Sequence, residues 1–391
     1  MTDESPGRAT AAGDGADASP TRVTSASRDR VDLATLAATT IALVGASGPL
    51  VAGSTDPFAI AIVGLGASAV GAAIGVRWAA LSRRVGGAVA CLSGLLLALL
   101  SVYGLAHGRT AAVPIPPIEA VPSLVLAVFG AALTVAGGVA FVTGITDDGL
   151  RRRLSATVRY SLVAVAGYLA ITVWVVLLAT TVVPLLTGAP ATELAVTERA
   201  LLSQAGTVLG LGFAAWAFLV WTERDRSFVD LSIPTLRDLG YVVAGTVAIV
   251  GAALAIGALL GATGTESAAH STFEGASEAP EVLLVLAVAS IVVVGPFEEL
   301  LYRNVVQKSL YGPFSRAGAV VVASVPFALV HVSAYAGGSV GQSLVSLGMV
   351  LVLSLLLGTI YERTENLLVP ALVHGCYNAA VYLSAYASLV G

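Results

Sequence analysis

Apolar residues run through this chain in long unbroken blocks, separated by short polar stretches. A membrane-crossing helix needs about 20 mostly apolar residues, each rising about 1.5 Å. Read with that window, the chain predicts eleven spans, at residues 33–53, 58–76, 85–106, 121–144, 161–186, 200–221, 238–262, 281–310, 317–335, 341–361 and 367–389. Residues 1–32 are rich in Asp, Ser, Thr, Gly and Ala and lack apolar periodicity, so a disordered cytoplasmic tail is expected there. The expected fold class is all-α, a polytopic transmembrane helical bundle of about eleven spans.

Composition supports this reading. Apolar residues make up 57% and charged residues 11%, against about 25% charged in soluble domains. Twenty basic against 24 acidic residues leave a net charge of −4, and no basic footprint for nucleic acid. Cys91 and Cys376 both lie in apolar runs, which excludes a disulfide framework or a cysteine zinc site. Basic residues collect in cytoplasmic loops. Starting with the tail inside, eighteen of the twenty fall on one side, and only Arg109 and Arg199 on the other. The expectation is a multi-pass cell-membrane protein with its N-terminus cytoplasmic and its C-terminus outside. A charged loop at 222–237 divides the spans into six and five.

Ionisable groups inside a span cost roughly 2.5–3.5 kcal/mol each on insertion scales. The first six spans nearly avoid them. The eighth does not: it carries Glu298, Glu299 and Arg303. The ninth carries Phe327 and His331, and the eleventh His374 and Asn378. Counted from the cytoplasmic helix ends, Glu298 and Asn378 lie about 18 Å deep and His331 about 21 Å. With His374 one turn shallower, four polar groups on three helices therefore lie at similar depth. Residues four apart share a helix face. That pairs Glu299 with Arg303, sets Phe327 beside His331, and points His374 and Asn378 the same way. Pro296 and Pro326 precede site residues, where a helix kink frees a backbone carbonyl.

These groups suit hydrolysis, in two ways. A desolvated Glu298 can take a proton from water, with His331 sharing that water and His374 and Asn378 donating to an oxyanion. Alternatively Glu298, His331 and His374 are three ligands of a catalytic zinc with an open fourth position. Both readings stand at this point. His107 and His270 fall in outside loops and read as ordinary, and Cys376 reads as a packing residue. No HExxH occurs, and Gly45-Ala46-Ser47-Gly48 has no further histidine placed to serve it.

EELLYR (298–303), FALVH (327–331) and HGCYN (374–378) spell EExxxR, FxxxH and HxxxN in order on separate spans. In these motifs the chain resembles the CPBP intramembrane proteases, the CAAX-protease and bacteriocin-processing (Abi) family. The resemblance covers about the last 115 residues. It implies an endopeptidase cutting a membrane-associated peptide, of CaaX type or another, within the bilayer. Residue by residue it implies Glu298 as the water-activating carboxylate and His331 as its partner. It implies His374 and Asn378 as the oxyanion pair, and Glu299 with Arg303 as a supporting ion pair. It leaves the cofactor as none or a divalent metal such as zinc. The expected organisation is tail 1–32, a six-span region 33–221 without assigned role, and a protease region 228–391. The rival classes are a proton-coupled transporter, which would carry polar groups in both halves, and an inactive scaffold of the same family.

Overall fold

The computed structural model describes residues 28–115, 118–273 and 275–391. The expected tail falls mostly outside these residues, and the first helix begins at Asp29 rather than 33. Eleven helices are long and apolar enough to cross a membrane. They are α1 (Asp29–Val51), α2 (Pro57–Arg77), α3 (Arg83–Ala106), α4 (Ser123–Thr143), α5 (Asp147–Thr187), α6 (Val196–Trp221), α7 (Leu236–Thr263), α8 (Val282–Leu310), α9 (Arg316–Tyr335), α10 (Val340–Thr364) and α11 (Leu368–Val390). The protein is thus a polytopic helical bundle, and ten of the predicted spans match within a few residues.

α5 is longer than its predicted span. α5 starts at Asp147, not 161. Thr146 caps it, its hydroxyl accepting the Gly149 N–H at 3.2 Å, and Asp147 and Asp148 occupy the first turn, where acidic side chains suit the helix dipole. A hydropathy window registers only the apolar part of such a helix. One element was not anticipated: β1 (Ala112–Ile115) pairs antiparallel with β2 (Ile118–Pro122) between α3 and α4. Arg303, counted above with the cytoplasmic loops, is instead fully buried within α8.

The helices share two main cores. Ala42, Ala46, Ile62, Leu97, Leu124 and Ala127 join α1 to α4. Ala164 of α5 and Leu211, Ala215 and Phe218 of α6 instead pack with Leu301, Tyr302, Val305 and Val306 of α8 and with Phe327 of α9. The expected region 33–221 therefore packs in two parts, and α5 and α6 wall the helix that carries EExxxR. α3 meets α10 where Gly341 lies against the Ala106 backbone. The 222–237 loop is pinned rather than free. Asp230 accepts from Lys308 Nζ and from the Tyr361 hydroxyl, each at 2.6 Å, and its N–H donates to Asn304 at 2.8 Å. Outward faces such as Leu169 and Val173 of α5 and Val247 and Leu254 of α7 are apolar and exposed, as lipid-facing surfaces must be.

Candidate active site

The centre of the bundle is α8. Its two glutamates sit on a short α-helical stretch, Gly295–Glu299, between two π-helical stretches, Ser290–Val294 and Leu300–Gln307. Such wide turns recur at functional sites because they re-aim side chains out of the 3.6-residue register. Pro296 opens the stretch and brings no N–H to the helix ladder. Gly295 lies directly against the Ala371 carbonyl of α11, and a Cβ at Gly375 would stand 2.6 Å from Ile291 Cα. These two glycines let α8 and α11 touch backbone to backbone.

Glu299 and Arg303 are both fully buried and paired, Nε to Oε2 at 2.8 Å. The guanidinium also donates from Nη2 to Ser354 of α10 at 3.0 Å and lies 4.8 Å over the Phe327 ring. The other oxygen of Glu299 meets His374 Nδ1 at 3.0 Å. A carboxylate can only accept, so Nδ1 carries a hydrogen and Nε2 is left for other partners. His331 is fixed in the same manner, Nδ1 donating to the Phe327 carbonyl at 2.8 Å. It sits where α9 tightens from an α-helix ending at Val330 into a 3₁₀ turn, His331–Tyr335. The Phe327 ring lies 4.9 Å from the rings of both His331 and Tyr302 and 6.1 Å from that of His374.

His331, His374 and Asn378 line one cavity of about 280 Å³. Its remaining wall is mainly apolar, with Met349, Val350, Leu353 and Leu357 from α10. Glu298 is not among the lining residues. It is half-buried, within electrostatic reach of His374, Tyr302 and Tyr382, and its Oε2 is buried with no hydrogen-bond partner. The structure thus joins three of the four expected site residues on one cavity wall and leaves the fourth behind it with a free acceptor. Among the described residues, no three His, Cys, Asp or Glu side chains converge at metal-ligand spacing. The set Glu298, His331 and His374 does not form a cage here.

Two features were not legible beforehand. Glu299 serves His374 as well as Arg303. His270, read as an ordinary loop residue, lines the cavity and packs edge-on to Tyr335, with ring centroids 5.1 Å apart. Burial, and secondarily the neighbouring His331, push its pKa down to about 4. Nothing in its local sequence marks it, because a long connection brings it back over the helix ends.

Residues 280–380 match the family described as Type II CAAX prenyl endopeptidase Rce1-like. No curated protein and no solved structure matches the chain. The matched segment begins where α8 begins and ends within α11, so it takes in all three motifs and every helix that carries them. Over that segment the chain is similar to this CAAX prenyl endopeptidase family, in keeping with the CPBP resemblance of its EExxxR, FxxxH and HxxxN residues.

Proposed function

We propose that this protein is an intramembrane endopeptidase that hydrolyses a peptide bond of a membrane-associated peptide, of CaaX type or a related class. The reading is carried by one observation: two imidazoles and a carboxamide face one cavity inside the bundle, and the half-buried Glu298, within electrostatic reach of His374, keeps a buried oxygen unused. Glu298 accepts a proton from water as that water attacks the carbonyl carbon. His331 offers its Nε2 lone pair to the same water. The oxyanion is met by the Asn378 amide. When His374 is protonated both its nitrogens donate, Nδ1 to Glu299 and Nε2 to the oxyanion. The C–N bond then breaks, and Glu298 returns its proton to the leaving amine. In this reading the carboxylate itself activates the water.

The unit performing this chemistry is α5 to α11, since α5 and α6 complete the wall of α8. A carrier finds less support. Among the described residues, the fully buried polar side chains of α1–α4 are hydroxyls, Thr35, Thr39, Ser93, Ser101, Ser123 and Thr134. The orientation that fits the basic loops puts those containing Arg84, Arg152, Arg226, Arg316 and Arg363 in the cytoplasm and Gly391 outside. The test is peptide cleavage by protein purified into lipid, followed by mass spectrometry. Glu298→Gln should lose about 10²–10⁴-fold in rate while remaining monodisperse. Full activity in that variant would overturn the mechanism, and a scaffold would show none in either protein. Dialysis against a chelator should leave cleavage intact. Loss restored by zinc would transfer the water-activating role to a metal.

A further inference from the structure

We propose that His270 is a substrate-binding residue, a neutral imidazole whose Nε2–H donates to a carbonyl oxygen of the bound peptide. This rests on the endopeptidase reading above. The argument begins with the tautomer. The backbone N–H of Thr272 donates to His270 Nδ1 at 3.1 Å. A backbone N–H has only a hydrogen to give, so Nδ1 is bare and the neutral ring carries its hydrogen on Nε2. His331 and His374 are held the opposite way, each spending its Nδ1–H on an oxygen. In their neutral forms, two of the three imidazoles on the cavity therefore present lone pairs and one presents a donor.

The site is built to keep that donor neutral. His270 is half-buried in the connection between α7 and α8, against Tyr335 and Phe273, and burial pushes its pKa down to about 4, so it is uncharged at neutral pH. Among the described residues, no Lys, Arg, Asp or Glu side chain lines the cavity. A peptide carbonyl needs only a neutral donor and an apolar wall, and this cavity offers both.

The test compares His270→Gln, which keeps an N–H donor at similar reach, with His270→Phe, which keeps the ring packing and removes the donor. On a peptide that the wild type cleaves, His270→Phe should lose about 10²-fold in kcat/KM, and His270→Gln should stay within about tenfold of wild type. Unchanged kcat/KM in His270→Phe, or equal losses in both, would overturn the inference while leaving the endopeptidase reading intact. A wild type that cleaves no peptide would sink that reading instead. Nitrogen-15 NMR of histidine-labelled protein in lipid at pH 7 checks the donor without any turnover. A His270 signal from the Nδ1–H tautomer or from an imidazolium would also overturn it.

Discussion

The imidazole of His374 is held by Glu299, the second carboxylate of the EExxxR motif, with Nδ1 3.0 Å from Oε1. The same carboxylate takes Arg303 on its other oxygen at 2.8 Å. One buried group thus orients a cavity histidine on α11 and balances a buried guanidinium on α8. Glu298, its neighbour, keeps an oxygen without a partner. The two glutamates are adjacent in the chain and occupy different chemical positions.

Substitutions at Glu299 should therefore damage folding and catalysis together. Removing one member of a buried pair costs about 3–5 kcal/mol, because the other charge is left uncompensated. Glu299→Leu should lower the thermal midpoint and the yield of inserted protein. Glu299→Gln still offers an oxygen to His374 and should keep part of its activity. Arg303→Lys should also lose stability, since a flexible ammonium cannot reach Glu299 and Ser354 with a planar fork. Thermal scans alongside cleavage rates separate the two effects. Wild-type stability in Glu299→Leu would contradict the buried-pair account.

The backbone contact between α8 and α11 yields a second expectation. Gly295→Val and Gly375→Val each place a side chain where the facing backbone already stands, and should abolish activity even where some protein inserts. At Gly64 and Gly71 of α2 an added Cβ meets nothing nearby. The same substitutions there should leave cleavage within about twofold of wild type, as surface changes usually do.

Acid should weaken the fold through His270. Its ordinary pKa of 6.5 falls to about 4 in the folded protein, so folding favours the neutral ring. The stabilisation is complete above about pH 6.5 and is lost as pH falls toward about 4, because the unfolded chain takes up the proton first. The titratable groups sharing its cavity are His331, His374 and the tyrosines Tyr335, Tyr377 and Tyr382. They are unchanged in His270→Gln and cancel in the comparison. Between pH 7 and pH 4.5 the wild type should lose more of its thermal midpoint than this variant. Parallel curves would remove the linkage.

Topology can be read by labelling. With Cys91 and Cys376 replaced by alanine, single cysteines at the exposed positions Ser227 and Ser271 should behave oppositely in intact cells. A membrane-impermeant maleimide should reach position 271 and not position 227. The reverse pattern would invert the proposed orientation, and equal labelling would mean an error in the number of crossings.

The amino-acid sequence set the number of membrane helices and, α5 apart, their approximate lengths. Each must satisfy its own backbone in lipid, so apolar length alone specifies it. It also determined the groups four residues apart on one helix, Glu299 with Arg303 and Phe327 with His331, since helical geometry alone brings them together. The tertiary structure decided what lies across helices. Which glutamate meets His374 depends on the π-helical turns of α8 and on the Gly295 and Gly375 contact, which rotate and seat the helix against α11. The role of α5 and α6 as walls of that helix follows from side-chain packing, which the charged loop at 222–237 does not reveal. His270 reaches the cavity only because the α7–α8 connection folds back over it, and such a return is encoded by distant contacts rather than by any local pattern.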